Sequence, residues 1–85
     1  MKEMKYTIQD ALGIHARPAG MLVKVAGGFK SAITLDNGVK KADAKRIMAV
    51  MSMGIKQGQE ITVTVEGEDE ETAAAAVETF LKENC

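Results

Sequence analysis

The chain has 85 residues and a formal charge of −1, enough for one small domain, 1–85, that buries only about 60–65% of its extended surface. With 46% apolar and 27% charged residues of both signs, it has the make-up of a soluble globular protein. Near-neutral charge, no Trp, one Tyr and two Phe exclude the basic footprint and base-stacking platform of a nucleic-acid binder.

In chain order, Met4, Tyr6 and Ile8 alternate with Lys5, Thr7 and Gln9, the period of a strand with one buried face. No apolar h-region precedes this strand and no later run reaches the ~18 residues of a membrane span. A cytoplasmic protein is expected. A loop over Asp10–Ile14 leads to GIHARPAG, residues 13–20, which holds the only histidine and the only proline. From Ala16 to about Gly27, Ala19, Leu22, Val23 and Ala26 recur at helical spacing. Gly27–Gly28 should end that helix in the left-handed conformation.

Ser31–Asp36 reads as a second strand, with Ile33 and Leu35 set on opposite sides, and Asn37–Gly38 as a hairpin turn into a strand over Val39–Ala42. AKRIMAVMSMGI reads as a short helix near Arg46–Ser52, closed by Gly54. Ile61, Val63 and Val65 alternate with Thr62, Thr64 and Glu66 as a clear strand. The segment EDEETAAAAVETFLKEN is a helix with Asp69 as its expected N-cap, Glu70 and Glu71 in its first turn and Lys82 near its end. Ala73, Ala76, Val77, Phe80 and Leu81 form its apolar stripe. The lone cysteine, Cys85, reads as a free thiol on a frayed end; with one histidine it cannot supply a structural zinc site.

The order is β-α-β-β-α-β-α. For this length the economical α+β arrangement is a mostly antiparallel four-stranded sheet with three helices on one face. The other face carries Lys5, Thr7, Thr62 and Thr64, polar enough to meet water.

If the first helix opens at Ala16, His15 holds its N-cap and Ala16, Arg17 and Pro18 fill the first turn. Proline is tolerated there because its missing N–H has no intrahelical partner to lose. Unpaired backbone N–H groups and the positive end of the helix dipole favour anions at that point. An imidazole there, with a guanidinium two residues on, suits a phosphoryl group carried on the histidine, and should hold the His15 pKa below its ordinary value. Histidine is also an acceptable cap, and spacing alone leaves that structural reading open. No second histidine or orienting carboxylate marks a general base or a metal site.

GIHARPAG resembles the phosphoryl-acceptor signature of the HPr family, the histidine-containing phosphocarriers of the bacterial sugar phosphotransferase system. The resemblance continues through NGVKKADAKRIMAVMSMGIKQGQEITVTVEGEDEE. It implies an open-faced β-sandwich in which His15 accepts a phosphoryl group on Nδ1 from phosphorylated Enzyme I and passes it to IIA components of sugar permeases. It further implies Arg17 as charge partner, Pro18 as the fixed helix start, Ala16 as a helix-terminal amide, and no cofactor. Met21, Ile47, Met48 and Met51, with Lys24, would dock partners, including regulatory proteins; the alternative for the methionines is core filling. A monomer is expected, because every partner must reach one small face.

Most members carry serine at the position of Arg46, where a kinase acts in some of them. Arg46 has no hydroxyl, so that switch cannot operate, and Asp43 is the expected substitute cap for the short helix. Gly20 stands where alanine or threonine is commoner and should loosen the first helix by under ~1 kcal/mol. Two other readings remain: a specialised carrier in a regulatory or nitrogen-linked relay, and a non-phosphorylated interaction module using the apolar patch alone.

Overall fold

The computed structural model describes all residues except Leu12 and His15. Its elements are β1 (Lys2–Thr7), α1 (Ala16–Gly27), β2 (Ala32–Asp36), β3 (Lys41–Asp43), α2 (Ile47–Ser52), β4 (Glu60–Glu66) and α3 (Glu70–Asn84). The strands form one antiparallel sheet in the order β1-β4-β2-β3. This is the expected open-faced architecture.

Register follows the apolar alternation. Ile61, Val63 and Val65 of β4 are fully buried, and they pair with Tyr6, Met4 and Lys2 on one side. On the other side Val65 and Val63 pair with Ile33 and Leu35. A one-residue slip would turn the whole set to water, so the pattern fixes the pairing. Ile33 and Leu35 both point inward, contrary to the expectation of opposite sides: two residues span one full pleat period, which returns a side chain to the same face. Lys5, Thr7, Thr62 and Thr64 remain outside the core as expected.

The helices bury stripes against that face. Ala19, Leu22 and Ala26 of α1, Val50 of α2, and Ala73, Val77 and Leu81 of α3 reach zero exposure. Val23 and Ala76, expected in those stripes, are only partly buried.

Four local expectations are corrected. The β2–β3 loop runs over residues 37–40, and the return strand begins at Lys41, because Asn37 Oδ1 accepts the N–H groups of Val39 (3.0 Å) and Lys40 (2.8 Å). That side-chain turn displaces the two-residue hairpin. Gly27 and Gly28 do not adopt positive φ; α1 closes through Gly28 N–H to Val25 O and Phe29 N–H to Ala26 O, both 3.2 Å. The short-helix glycine does behave as expected, with Gly54 just past the end of α2 at φ 62°.

Asp69 stands at the N-cap of α3 but makes no cap bond with its side chain. Its carboxylate turns instead to the α1–β2 loop. Oδ2 accepts Lys30 N–H at 2.9 Å, while Oδ1 accepts Ser31 N–H at 2.9 Å and the Ser31 hydroxyl. Ser31 is completely buried, and its polar groups would be left unpaired without this carboxylate. Those bonds, first the Ser31 hydroxyl and then Lys30 N–H, hold the Asp69 pKa below its ordinary value.

Cys85 is not frayed. It is buried at 5% exposure, its N–H donates to Leu81 O at 2.9 Å, and its carbonyl accepts the N–H groups of Gln9 (2.6 Å) and Asp10 (2.8 Å). Backbone bonds and packing tie the segment down where sequence position alone suggested fraying.

Candidate functional site

The loop before His15 is clamped by backbone bonds from two sides. The carbonyl of Cys85 holds Gln9 and Asp10, as above. From the other side, Ile8 N–H donates to Gln59 O (2.9 Å), Gly58 N–H to Ile8 O (2.8 Å), and Ile14 N–H to Ile55 O (3.1 Å). Gln57 Nε2 adds a bond to Gln9 O at 3.0 Å.

Gly13 makes this possible. Its φ is 67°, and a Cβ there would lie 2.2 Å from the carbonyl oxygen of Ile55. Only glycine combines that conformation with so close a backbone approach. Ile14 is buried at 5% exposure, so the residues flanking His15 are an anchored isoleucine and the first residue of a helix.

Helix α1 begins at Ala16, as expected, with Ala16 and Arg17 exposed and Pro18 buried in the first turn. No acidic residue lies in that turn. Arg17, Pro18 and Met21 share an open cleft of about 220 Å³ with Asp10 and Asn84. The last two were not foreseen, since only the clamped loop and the end of α3 bring them there. The expectations for His15 itself, its Nδ1 role and its lowered pKa, lie outside the described residues.

The expected docking residues stand at the surface. Met48 is 75% exposed, and Met21, Ile47 and Met51 are about 40% exposed. Helices α1 and α2 meet near Gly20, where a Cβ would sit in ordinary contact, 3.6 Å from Ile47 Cδ1. Lys24 is exposed on α1, and its ammonium makes no ion pair or hydrogen bond to another described residue.

Arg46 is the N-cap of α2, which starts at Ile47 with no side-chain cap bond. The expected substitute, Asp43, does not cap it. Its Oδ1 accepts Lys45 N–H at 2.9 Å, and its carbonyl accepts Arg46 N–H at 3.0 Å. The carboxylate is used by its own turn before the helix begins.

Burial raises the Cys85 thiol pKa to about 11, with the nearby charge of Asp10 as the second cause. No three His, Cys, Asp or Glu side chains among the described residues are placed to hold a metal ion. No helix among them is long and apolar enough to cross a membrane.

The family model described as the PTS HPr component phosphorylation site matches residues 2–83. A phosphocarrier protein HPr from Lysinibacillus sphaericus is 48% identical, the match covering 98% of this chain and 94% of that one. The solved Mycoplasma histidine-containing phosphocarrier superposes with a TM-score of 0.94 at 39% identity, covering 96% of this chain and 93% of the other. HPr from Thermoanaerobacter tengcongensis gives 0.92 at 40% identity, covering 98% and 93%. A dimer of HPr from that organism also matches, at 0.77 and 40% identity, over 98% and 95%; the monomer expected from the sequence therefore draws no support from these relatives. The family match, the strand order and the helix that opens directly after the histidine agree: this chain belongs to the HPr family of phosphotransferase-system phosphocarriers.

Proposed function

We propose that His15 accepts a phosphoryl group on Nδ1 from phosphorylated Enzyme I and gives it to IIA components of sugar permeases. The observation that carries this reading is the start of α1 at Ala16, immediately after His15, with Arg17 exposed in its first turn. The unpaired N–H groups of that turn and the Arg17 guanidinium would balance the charge of a phosphohistidine, roughly −2. In the first step the ring nitrogen attacks phosphorus and the bond to the donor breaks. In the second, an acceptor nucleophile attacks and the N–P bond breaks, returning the electron pair to the ring. Positioning supplies most of the catalysis in such a transfer, and the backbone bonds that hold Ile8, Gln9, Asp10 and Ile14 support it.

The exposed group Met21, Ile47, Met48 and Met51 supports docking of more than one partner, because methionine repacks readily against different surfaces. The carrier would work in the cytoplasm as a monomer presenting this one face. Arg46 carries no hydroxyl, so a serine kinase with ATP leaves it unlabelled.

Enzyme I and phosphoenolpyruvate test the reading. Wild type should take up acid-labile phosphate and His15→Ala none. An unlabelled wild type, or equal label on both, would overturn it.

A further inference from the structure

Sulfur is distributed unevenly in this chain, which has six methionines and one cysteine. Met21, Met48 and Met51 stand exposed on α1 and α2. Met53, the C-cap of α2, is buried at 6% exposure, and Met4 packs against the core from β1. Neither α1 nor α2 contains a cysteine or an aromatic residue, so the three thioethers are the oxidisable side chains of those helices. The one thiol does not compete for oxidant: Cys85 is buried, and its raised pKa leaves little thiolate at neutral pH.

An exposed thioether can do what leucine or isoleucine in its place cannot. Its sulfur attacks one oxygen of hydrogen peroxide, the O–O bond breaks, and the other oxygen leaves as water after taking the proton of the transferred one. Sulfur loses two electrons and becomes a sulfoxide, while the peroxide is reduced. A methionine sulfoxide reductase reverses the change: the oxygen departs as water and a dithiol is oxidised to a disulfide. The sulfoxide oxygen is a polar acceptor, and covering it with an apolar partner surface leaves it unpaired.

We infer that Met21, Met48 and Met51 form a reversible oxidation site: peroxide turns the exposed apolar group polar, which weakens docking and slows the relay, and reductase restores both. This rests on the carrier reading, in which a partner covers that group. The burial of Met53 keeps the same chemistry out of the core, so oxidation acts on docking and leaves folding intact.

The test treats the full chain with hydrogen peroxide, removes the excess with catalase, and follows each methionine by peptide mass spectrometry. Steady-state phosphorylation by Enzyme I and phosphoenolpyruvate is measured before treatment, after it, and after repair by methionine sulfoxide reductase with a dithiol. Met48 and the exposed Met1 should oxidise first, Met21 and Met51 next, and Met53 last. Oxidation should raise KM about five- to tenfold with kcat unchanged, and repair should restore it. A chain combining Met21→Leu, Met48→Leu and Met51→Leu, compared with its own untreated sample, should hold its KM although Met1 still oxidises. An unchanged wild-type KM once Met48 is a sulfoxide overturns the site, as does a rise in the triple variant equal to that of wild type. So does Met53 oxidising as fast as Met48, or a urea midpoint that falls as Met48 oxidises. An untreated wild type that takes no phosphate overturns the carrier reading and the switch together.

Discussion

Replacing Gly13 by alanine tests the clamp on the loop before His15. An L-residue at φ 67° costs roughly 1–2 kcal/mol. The new Cβ would lie 2.2 Å from Ile55 O and 2.7 Å from Lys56 Cα, both backbone atoms, so no side-chain rotation relieves the clash. The two segments must separate, and the 3.1 Å bond from Ile14 N–H to Ile55 O is lost, at about 0.5–1.5 kcal/mol. The sum is about 1.5–3.5 kcal/mol. Gly38→Ala is the control: φ is 89° but no atom lies within 4 Å of the added carbon, leaving only the conformational cost of roughly 1–2 kcal/mol. With a urea m-value of about 1 kcal/mol/M for a small domain, Gly13→Ala should lower the midpoint by about 1.5–3.5 M and Gly38→Ala by about 1–2 M, the difference being the lost Ile14–Ile55 bond. On the proposed reading, phosphorylation of Gly13→Ala should also slow in kcat, because the displaced segment at Ile14 leads directly into the acceptor residue of the sequence. Equal midpoints for the two variants would refute the argument.

Asp69→Asn should destabilise the chain at neutral pH. The Asp69 carboxyl is held below its ordinary value of 3.8 by the Ser31 hydroxyl and then by Lys30 N–H. Its contribution is therefore present above 3.8 and lost as pH falls through the lower folded value. Urea midpoints of the two proteins should converge on acidification; a gap independent of pH would contradict this. Cys85 should resist thiol reagents at mildly alkaline pH when folded and react freely in urea, since burial raises its pKa to about 11. Its contribution to stability is complete below its ordinary value of 9.0 and lost as pH rises toward about 11. Equal labelling rates in buffer and in urea would show the thiol to be open.

The sheet was legible because alternation is unambiguous at Ile61, Val63 and Val65, and the opening of α1 because proline fixes a helix start. The exposed apolar group was legible as a patch only through resemblance, since methionine spacing alone is equally that of a core. What escaped the sequence is competition between partners distant along the chain. Asp69 carries every local mark of a cap, yet Ser31, buried far away in sequence, takes its carboxylate. Asp43 is likewise claimed by Lys45 N–H before α2 begins. The clamp on the loop before His15 depends on a carbonyl at residue 85 and another at residue 55, neither of which has a signature in side-chain chemistry.

The strand order has a consequence for biosynthesis. β1 precedes the other strands in the chain, but its one neighbour in the sheet among the described residues is β4, so its hydrogen-bonding edge and the apolar sides of Met4 and Tyr6 stay unsatisfied until Glu60–Glu66 has left the ribosome. At about 5–20 residues per second, that leaves the nascent chain open for several seconds. Gln9 and Asp10 likewise find their backbone partner only when Cys85 arrives, so a chain stalled short of its last helix would leave both N–H groups without the bond they make in the folded protein.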